Sequence, residues 1–179
     1  MITIRATEPQ DQAALLRIAS EEPLFSDIEA GTVAELLRDY LAYPDHNGYL
    51  FLSAIDEGPL VGFACFGPTP LTQGTYTVYW LCIAAAARGQ GTGRALMRQI
   101  EFAARAAGGR LIVLDTSGRP EYAPTRAFYE RIGYTRSATI LDYYAVGDDL
   151  VIYSLGLSPA AWIPQPETSL HQSHSTAVG

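Results

Sequence analysis

Apolar and polar residues recur along this chain at two periods, and the switches between them mark out its elements. Ile2–Ala6 alternates and is β-branched, which predicts a strand. Thr7-Glu8-Pro9 is a helix-start signal with Thr7 as candidate N-cap. Ala14, Leu15, Ile18 and Ala19 then recur at helical spacing, giving a helix over Asp11–Ser20. A second amphipathic helix, Ala30–Tyr43, gathers Val33, Leu36, Leu37, Tyr40 and Leu41 on one face and stops at the turn residues Pro44 to Gly48.

Tyr49–Asp56 and Leu60–Phe66 read as two strands of a hairpin, separated by Glu57-Gly58-Pro59. The loop Gly67–Gly74 leads to a long strand, Thr75–Ala84. A helix over Arg94–Ala107 follows, with Leu96, Met97, Ile100, Phe102 and Ala103 as its expected buried residues and Gly108-Gly109 as its C-cap. Arg110–Asp115 is a continuous apolar run, as expected of a strand covered on both faces and lying inside the sheet. After the loop Thr116–Ala123 comes a short helix, Thr125–Ile132, ended by Gly133. Ser137–Val146 and Leu150–Leu157 form a last hairpin around Gly147-Asp148-Asp149. The order β-α-α-β-β-β-α-β-α-β-β predicts an α/β (α+β) domain with a central, mixed, largely antiparallel sheet of about seven strands and about four flanking helices.

Composition narrows the picture. The 179 residues suffice for one domain with a sizeable core, assigned to residues 1–157. Residues 158–179, with Pro159, Pro164 and Pro166 among Ser, His and Thr, read as a flexible tail. His171 and His174 lie there without evident partner ligands, so no metal is expected. A net charge of −7 and a pI near 4.8 argue against nucleic acid as a partner and suit a cationic one. No apolar run reaches bilayer length, so no membrane partner is expected. Met1 to Arg5 does not resemble the start of a secretory signal. With Cys65 and Cys82 read as buried thiols, the expected compartment is the cytoplasm.

Arg88-Gly89-Gln90-Gly91-Thr92-Gly93 joins the long strand to the following helix. A turn of this kind aims unpartnered N–H groups at one point, where the helix dipole adds positive charge. Its glycines let an anion approach the backbone closely. The spacing is neither G-x-x-x-x-G-K-[ST] nor a dinucleotide fingerprint after a first strand. Alone it is equally well explained as an ordinary glycine-rich turn.

Two motifs together carry a resemblance. Ile83-(x4)-Arg88-Gly89-Gln90-Gly91-Thr92-Gly93-Arg94 resembles the pyrophosphate loop of the GNAT family of N-acetyltransferases, and Thr125 to Tyr134 resembles that family's later helix, with its Tyr-x-x-x-Gly-aromatic ending. The resemblance covers residues 1 to about 157 and implies the GNAT fold, with splayed fourth and fifth strands. It implies acetyl-CoA as acyl donor. Backbone near Cys82 and Ile83 would bind the pantetheine arm, the amides of Gly89, Gln90, Gly91, Thr92, Gly93 and Arg94 would hold the diphosphate, and Arg88 would add charge or stay solvated. The backbone of the fourth strand would supply the oxyanion donor. Tyr129 would be the general acid toward the leaving thiolate.

The sequence departs from the family at the base: Thr77 stands where many members carry a carboxylate, and a hydroxyl is no base near neutral pH. Tyr79, on the same strand face, could orient an amine or relay through water; Asp115, Asp142 and Asp148 are the other candidates. The first two helices, the loop Gly67–Gly74 and the last hairpin would line an acceptor site that Trp80, Tyr122, Tyr143 and Tyr144 make aromatic. The expected activity is acetyl transfer from acetyl-CoA to a primary amine of a small molecule. The alternatives are a non-catalytic acyl-CoA sensor and a protein N-terminal or lysine acetyltransferase. A homodimer is compatible with this shape, but no residue pattern requires one.

Overall fold

A computed structural model describes residues 1–43 and 48–157. The expected turn at Pro44 to Asn47 and the tail from Ser158 lie outside the described residues. The elements are β1 (Ile2–Ala6), α1 (Gln12–Ser20), α2 (Asp27–Ala42), β2 (Leu50–Asp56), β3 (Leu60–Pro68), β4 (Thr75–Ile83), α3 (Thr92–Ala106), β5 (Leu111–Ser117), α4 (Ala123–Arg131), β6 (Thr135–Ala145) and β7 (Asp148–Gly156). One sheet holds all seven strands in the order β1-β2-β3-β4-β5-β7-β6, and only β4 and β5 pair in parallel. β5 is interior, as its apolar run implied.

The sheet is covered on both faces. On one, Leu96, Met97 and Ile100 of α3 pack on Tyr76, Val78, Ile112 and Leu114. On the other, Leu15, Ile18, Val33 and Leu37 of α1 and α2 pack on Phe51, Phe63, Cys65 and Cys82. Both cysteines are buried free thiols. Phe102, expected inside, is 66% exposed, because it lies on the side of α3 opposite Leu96, Met97, Ile100 and Ala104.

The helix starts differ from expectation. A 3-10 turn, Pro9–Asp11, precedes α1, and Glu8 and Asp11 form its capping box. Thr7 is no cap: its hydroxyl lies 2.8 Å from that of Ser53, across the sheet edge. α2 begins at Asp27, ahead of Ala30, because Ser26 and Glu29 form a reciprocal capping box.

Asp11 ties this corner together. Its carboxylate accepts from Arg5 Nη1 and Nη2 at 2.6 and 2.8 Å, from Glu8 N at 2.9 Å and from Ser53 Oγ at 3.1 Å. Burial alone would raise this carboxyl, but Arg5, the Glu8 amide and Ser53 together outweigh it and hold it below its ordinary value. A depressed carboxyl contributes stability that is present above its unfolded pKa and lost as pH falls through the folded one. Asp11→Asn is therefore expected to cost about 2 kcal/mol at pH 7, discounted because Arg5 is partly exposed, with the deficit shrinking below about pH 4. Urea unfolding of both proteins at pH 7 and pH 3 checks this; an equal deficit at both would contradict it.

Candidate active site

β4 and β5 pair only at Thr75↔Leu111, Tyr76↔Ile112, Thr77↔Val113 and Val78↔Leu114, and then part. β5 continues along β7 to Ser117, and β4 continues along β3 to Ile83. At the point of parting β4 carries a bulge: Cys65 pairs with Trp80 and Phe66 with Val78, leaving Tyr79 as the extra residue. The bulge resets the alternation, so Tyr79, Trp80 and Cys82 all face α1 and α2, while Val78, Leu81 and Ile83 face α3.

The edge of β4 toward the gap is identifiable. Ala84 N donates to Val61 O at 2.9 Å, so Ala84 points its backbone at β3. By antiparallel alternation Cys82 does the same, and Leu81 and Ile83 turn theirs to the gap. The backbone groups turned to the gap are thus those of Leu81 and Ile83, the Ile83 carbonyl already accepting from Arg88 Nε, with Cys82 one step out of phase.

Beyond the gap lies the glycine turn. Gly89 and Gly91 have φ of +74° and +87°, conformations that favour glycine, and Gly91 is the N-cap of α3. The first helical bond is Ala95 N to Gly91 O, so the amides of Thr92, Gly93 and Arg94 precede any intrahelical acceptor. Gly93 allows close packing: a Cβ there would sit 3.2 Å from Phe128 Cζ. Gln90 turns inward and donates to Ala86 O at 2.8 Å, which braces the turn. Arg88 donates from Nε to Ile83 O at 3.1 Å and pairs through Nη2 with Glu22 Oε2 at 2.6 Å.

These parts surround a cleft of about 1220 Å³. Tyr129 reaches it from α4, packed against the rings of Phe128, Tyr134 and Tyr153. No protein group bonds its hydroxyl among the described residues, and that hydroxyl is not sealed from solvent, so it opens to the cleft. Burial first, then Cys82 and Asp115, raise its pKa and keep the phenol protonated at neutral pH. Tyr79 also lines the cleft, edge-on to Tyr49 at 5.1 Å. Burial, then Tyr49 and Cys65, raise its pKa too, so it is a donor and no base.

The sequence-predicted carboxylates separate. Asp115 is the first β5 residue past the last β4 pair, it lines the cleft, and it accepts from Tyr144 Oη at 2.7 Å. Asp148 lines the cleft while accepting from Ser117 Oγ and pairing with Arg119 Nε at 3.4 Å. Asp142 is a turn residue, with φ +53° and its carboxylate bound to Gly147 N at 2.6 Å. Thr77 shares its hydroxyl with Thr69 at 2.7 Å.

The acceptor walls need correction. Phe25, Trp80, Tyr122 and Tyr144 line the cleft, but the loop Gly67–Gly74 and Tyr143 do not. That loop ends against Gly108 and Arg110, at the opposite end of the parallel pair. The segment before α4 takes its place, clamped by Arg126 Nη1 on Ser117 O and Arg119 O at 2.6 and 2.9 Å. Sequence reading missed its partner, the segment between α1 and α2, as a wall: Tyr122 Oη donates to Leu24 O at 2.9 Å, a contact across 98 residues with no local signal.

A mixed sheet that parts between two parallel strands beside a glycine-led helix start is the arrangement that the resemblance to the GNAT fold implied. The model of the acetyltransferase (GNAT) family matches residues 13–134, and the chain belongs to that family. A crystal structure of a GNAT-family protein from Desulfovibrio desulfuricans is 38% identical, with TM-score 0.85 over 88% of this chain and 100% of that one. The ribosomal-protein-S18-alanine N-acetyltransferase of Escherichia coli shares the fold at 21% identity and TM-score 0.72, over 92% of this chain and 99% of that one. So does yncA of Salmonella typhimurium, solved with acetyl-CoA, at 20% identity and TM-score 0.70, over 92% and 98%. A search of curated proteins gave no match.

Gly93→Val should drive Phe128 from its seat and shift α4, at a cost of about 1–3 kcal/mol. Urea unfolding with unchanged stability would contradict that packing.

Proposed function

We propose that this protein transfers acetyl from acetyl-CoA to a primary amine of a small, cationic molecule. The observation that carries the reading is the parting of β4 from β5 beside the α3 N-terminus, with the Tyr129 hydroxyl opening into the gap. The yncA structure with acetyl-CoA supports the same donor here.

In this reading the amides of Gly89 to Arg94 hold the diphosphate, and Arg88 exchanges Glu22 for it. The free edge of β4 at Leu81 and Ile83 binds the pantetheine arm as an added strand. One of these amides donates to the carbonyl oxygen as it gains charge during attack. Holding both reactants in the gap makes the attack effectively unimolecular. Asp115 takes the proton of the incoming ammonium and passes it to solvent; its support is its place at the mouth of the gap, across from Tyr79 and just past the apolar run of β5. Tyr129 donates to the departing sulfur. Its raised pKa makes it a hydrogen-bond donor to the thiolate more than a full proton donor, so the neutral thiol is restored from solvent. Tyr79 orients the amine.

Two features support a small acceptor. The Tyr122–Leu24 bond joins the two walls and narrows the entrance that a peptide would need. Asp115, Asp148 and Glu121, with the rings of Phe25, Trp80, Tyr122 and Tyr144, provide charge and aromatic faces for an organic cation. The engagement of the Thr77 hydroxyl in a structural bond with Thr69 keeps a coenzyme-binding, non-catalytic role as the second reading.

The test is thiol release from acetyl-CoA over a panel of amines. Turnover with small polyamines or amino sugars, and none with peptide N-termini, is expected. Coenzyme binding without turnover on any amine would favour the second reading. Tyr129→Phe should lower kcat by about a hundredfold with little change in coenzyme affinity; full turnover in this variant would remove Tyr129 from the chemistry. Gly91→Glu, which forces a charged side chain into the left-handed N-cap, should abolish coenzyme binding by calorimetry, and unchanged affinity would contradict the placement of the diphosphate.

A further inference from the structure

β6 and β5 are not neighbours, because β7 lies between them. Two strand spacings, about 9.5 Å, therefore separate their backbones. Yet Tyr144 Oη of β6 donates to Asp115 Oδ2 of β5 at 2.7 Å. A regular ladder would not allow this bond. Asp115 pairs with Ile152 of β7, and Ile152 pairs with Ala138 of β6, well ahead of Tyr144 in the chain. Straight strand from Ala138 would carry Tyr144 about 20 Å along the sheet from the level of Asp115.

A bulge brings it back. Ile140 pairs with Leu150 and Ala145 with Asp148, so Leu141 to Tyr144 together stand opposite Asp149 alone. Within the bulge Asp142 has φ +53°, a left-handed conformation that aspartate tolerates better than most residues. It is bonded both ways: its N–H donates to Asp149 Oδ1 at 3.0 Å, and its carboxylate accepts from Gly147 N at 2.6 Å. The Tyr143 ring stands at 90° to that of Tyr144, with centroids 5.0 Å apart, and braces it. Packing does not account for this construction, since it leaves Leu141 73% and Tyr143 58% exposed. What the bulge delivers is one hydroxyl to one carboxylate that lines the cleft.

We infer that Tyr144 is a positioning residue: its hydroxyl fixes the Asp115 carboxylate through Oδ2 and so presents Oδ1 to the incoming amine. This rests on the reading of Asp115 as the base. Oδ1 has no hydrogen-bond partner among the described residues. The proton of the ammonium passes to Oδ1, the nitrogen keeps the electron pair that attacks the thioester carbonyl, and Asp115 then yields the proton to solvent. Tyr144 keeps its own proton throughout, because burial first, and then the bond to Asp115, raises its phenol. Tyr143 and Asp148 act on Tyr144 in the same direction, and Tyr129 faces Asp115 from α4. The contribution of Tyr144 is orientation: a carboxylate free to rotate spends less time aimed at the proton it must take.

Steady-state kinetics with acetyl-CoA and spermidine, or glucosamine where that is the faster acceptor, test this. Tyr144→Phe should lower kcat about tenfold and leave KM for both substrates within about twofold. Asp115→Asn should lower kcat about a hundredfold, and the double variant D115N/Y144F no further, because Tyr144 acts through Asp115. Tyr143→Phe, in the same bulge, should keep wild-type kinetics. Wild-type kcat in Y144F, or a further loss of about tenfold when Y144F is added to D115N, would overturn the inference and leave Asp115 as the base. A raised KM for the amine with kcat unchanged would overturn it too, making Tyr144 a wall of the acceptor site. Full turnover in D115N, or no turnover of either amine by the wild-type protein, would overturn the base reading and this inference with it.

Discussion

Two parallel strands that part after four paired residues set the terms for the rest of this molecule. A sheet interior normally satisfies every backbone amide, and leaving such groups bare where they are buried is costly. Here the bulge at Tyr79 twists β4 away from β5, and α4 holds Phe128 and Tyr129 against the opening. The bare edge of β4 and the bare first turn of α3 then face one space. Both arise from backbone geometry, so the binding surface depends on the chain's path more than on particular side chains.

Side chains tune that surface in two zones. The gap and its acceptor end carry phenols that burial keeps protonated, together with Asp115 and Asp148. The start of α3 carries Arg94, after Arg88 in the glycine turn. An acidic chain thus keeps positive charge where the donor's diphosphate would lie and negative charge where a cationic acceptor would enter. Glu22 and Arg88 connect the zones, since their ion pair ties the segment between α1 and α2 to the glycine turn.

Much of this was legible in the sequence because it is local. Period and turn chemistry located the seven strands and four α-helices but not the 3-10 turns at Ala85–Ala87 and Pro120–Tyr122, and β-α order with two motifs singled out the glycine turn and Tyr129 as candidates. What escaped was non-local or competed with a stronger local cue. Ser26-x-x-Glu29 is a readable capping box that extends α2 to Asp27, but it lay before the first periodic residue taken as the start. Phe102 was assigned inside because a phenylalanine on an amphipathic helix suggests burial, although its angular position points to solvent. The Tyr122–Leu24 bridge and the Tyr144–Asp115 bond depend on the approach of segments far apart in sequence, and no spacing encodes that. The phase of β4 required the register with β3, which shows Leu81 and Ile83, not Cys82, facing the gap.

The most direct test is an amide NMR titration of the protein with coenzyme A. The account predicts the largest shifts at Gly89, Gln90, Gly91, Thr92, Gly93 and Arg94, with Leu81 and Ile83 moving in step and Cys82 moving less. Shifts concentrated elsewhere, with the glycine turn and the free edge of β4 unmoved at saturation, would contradict it.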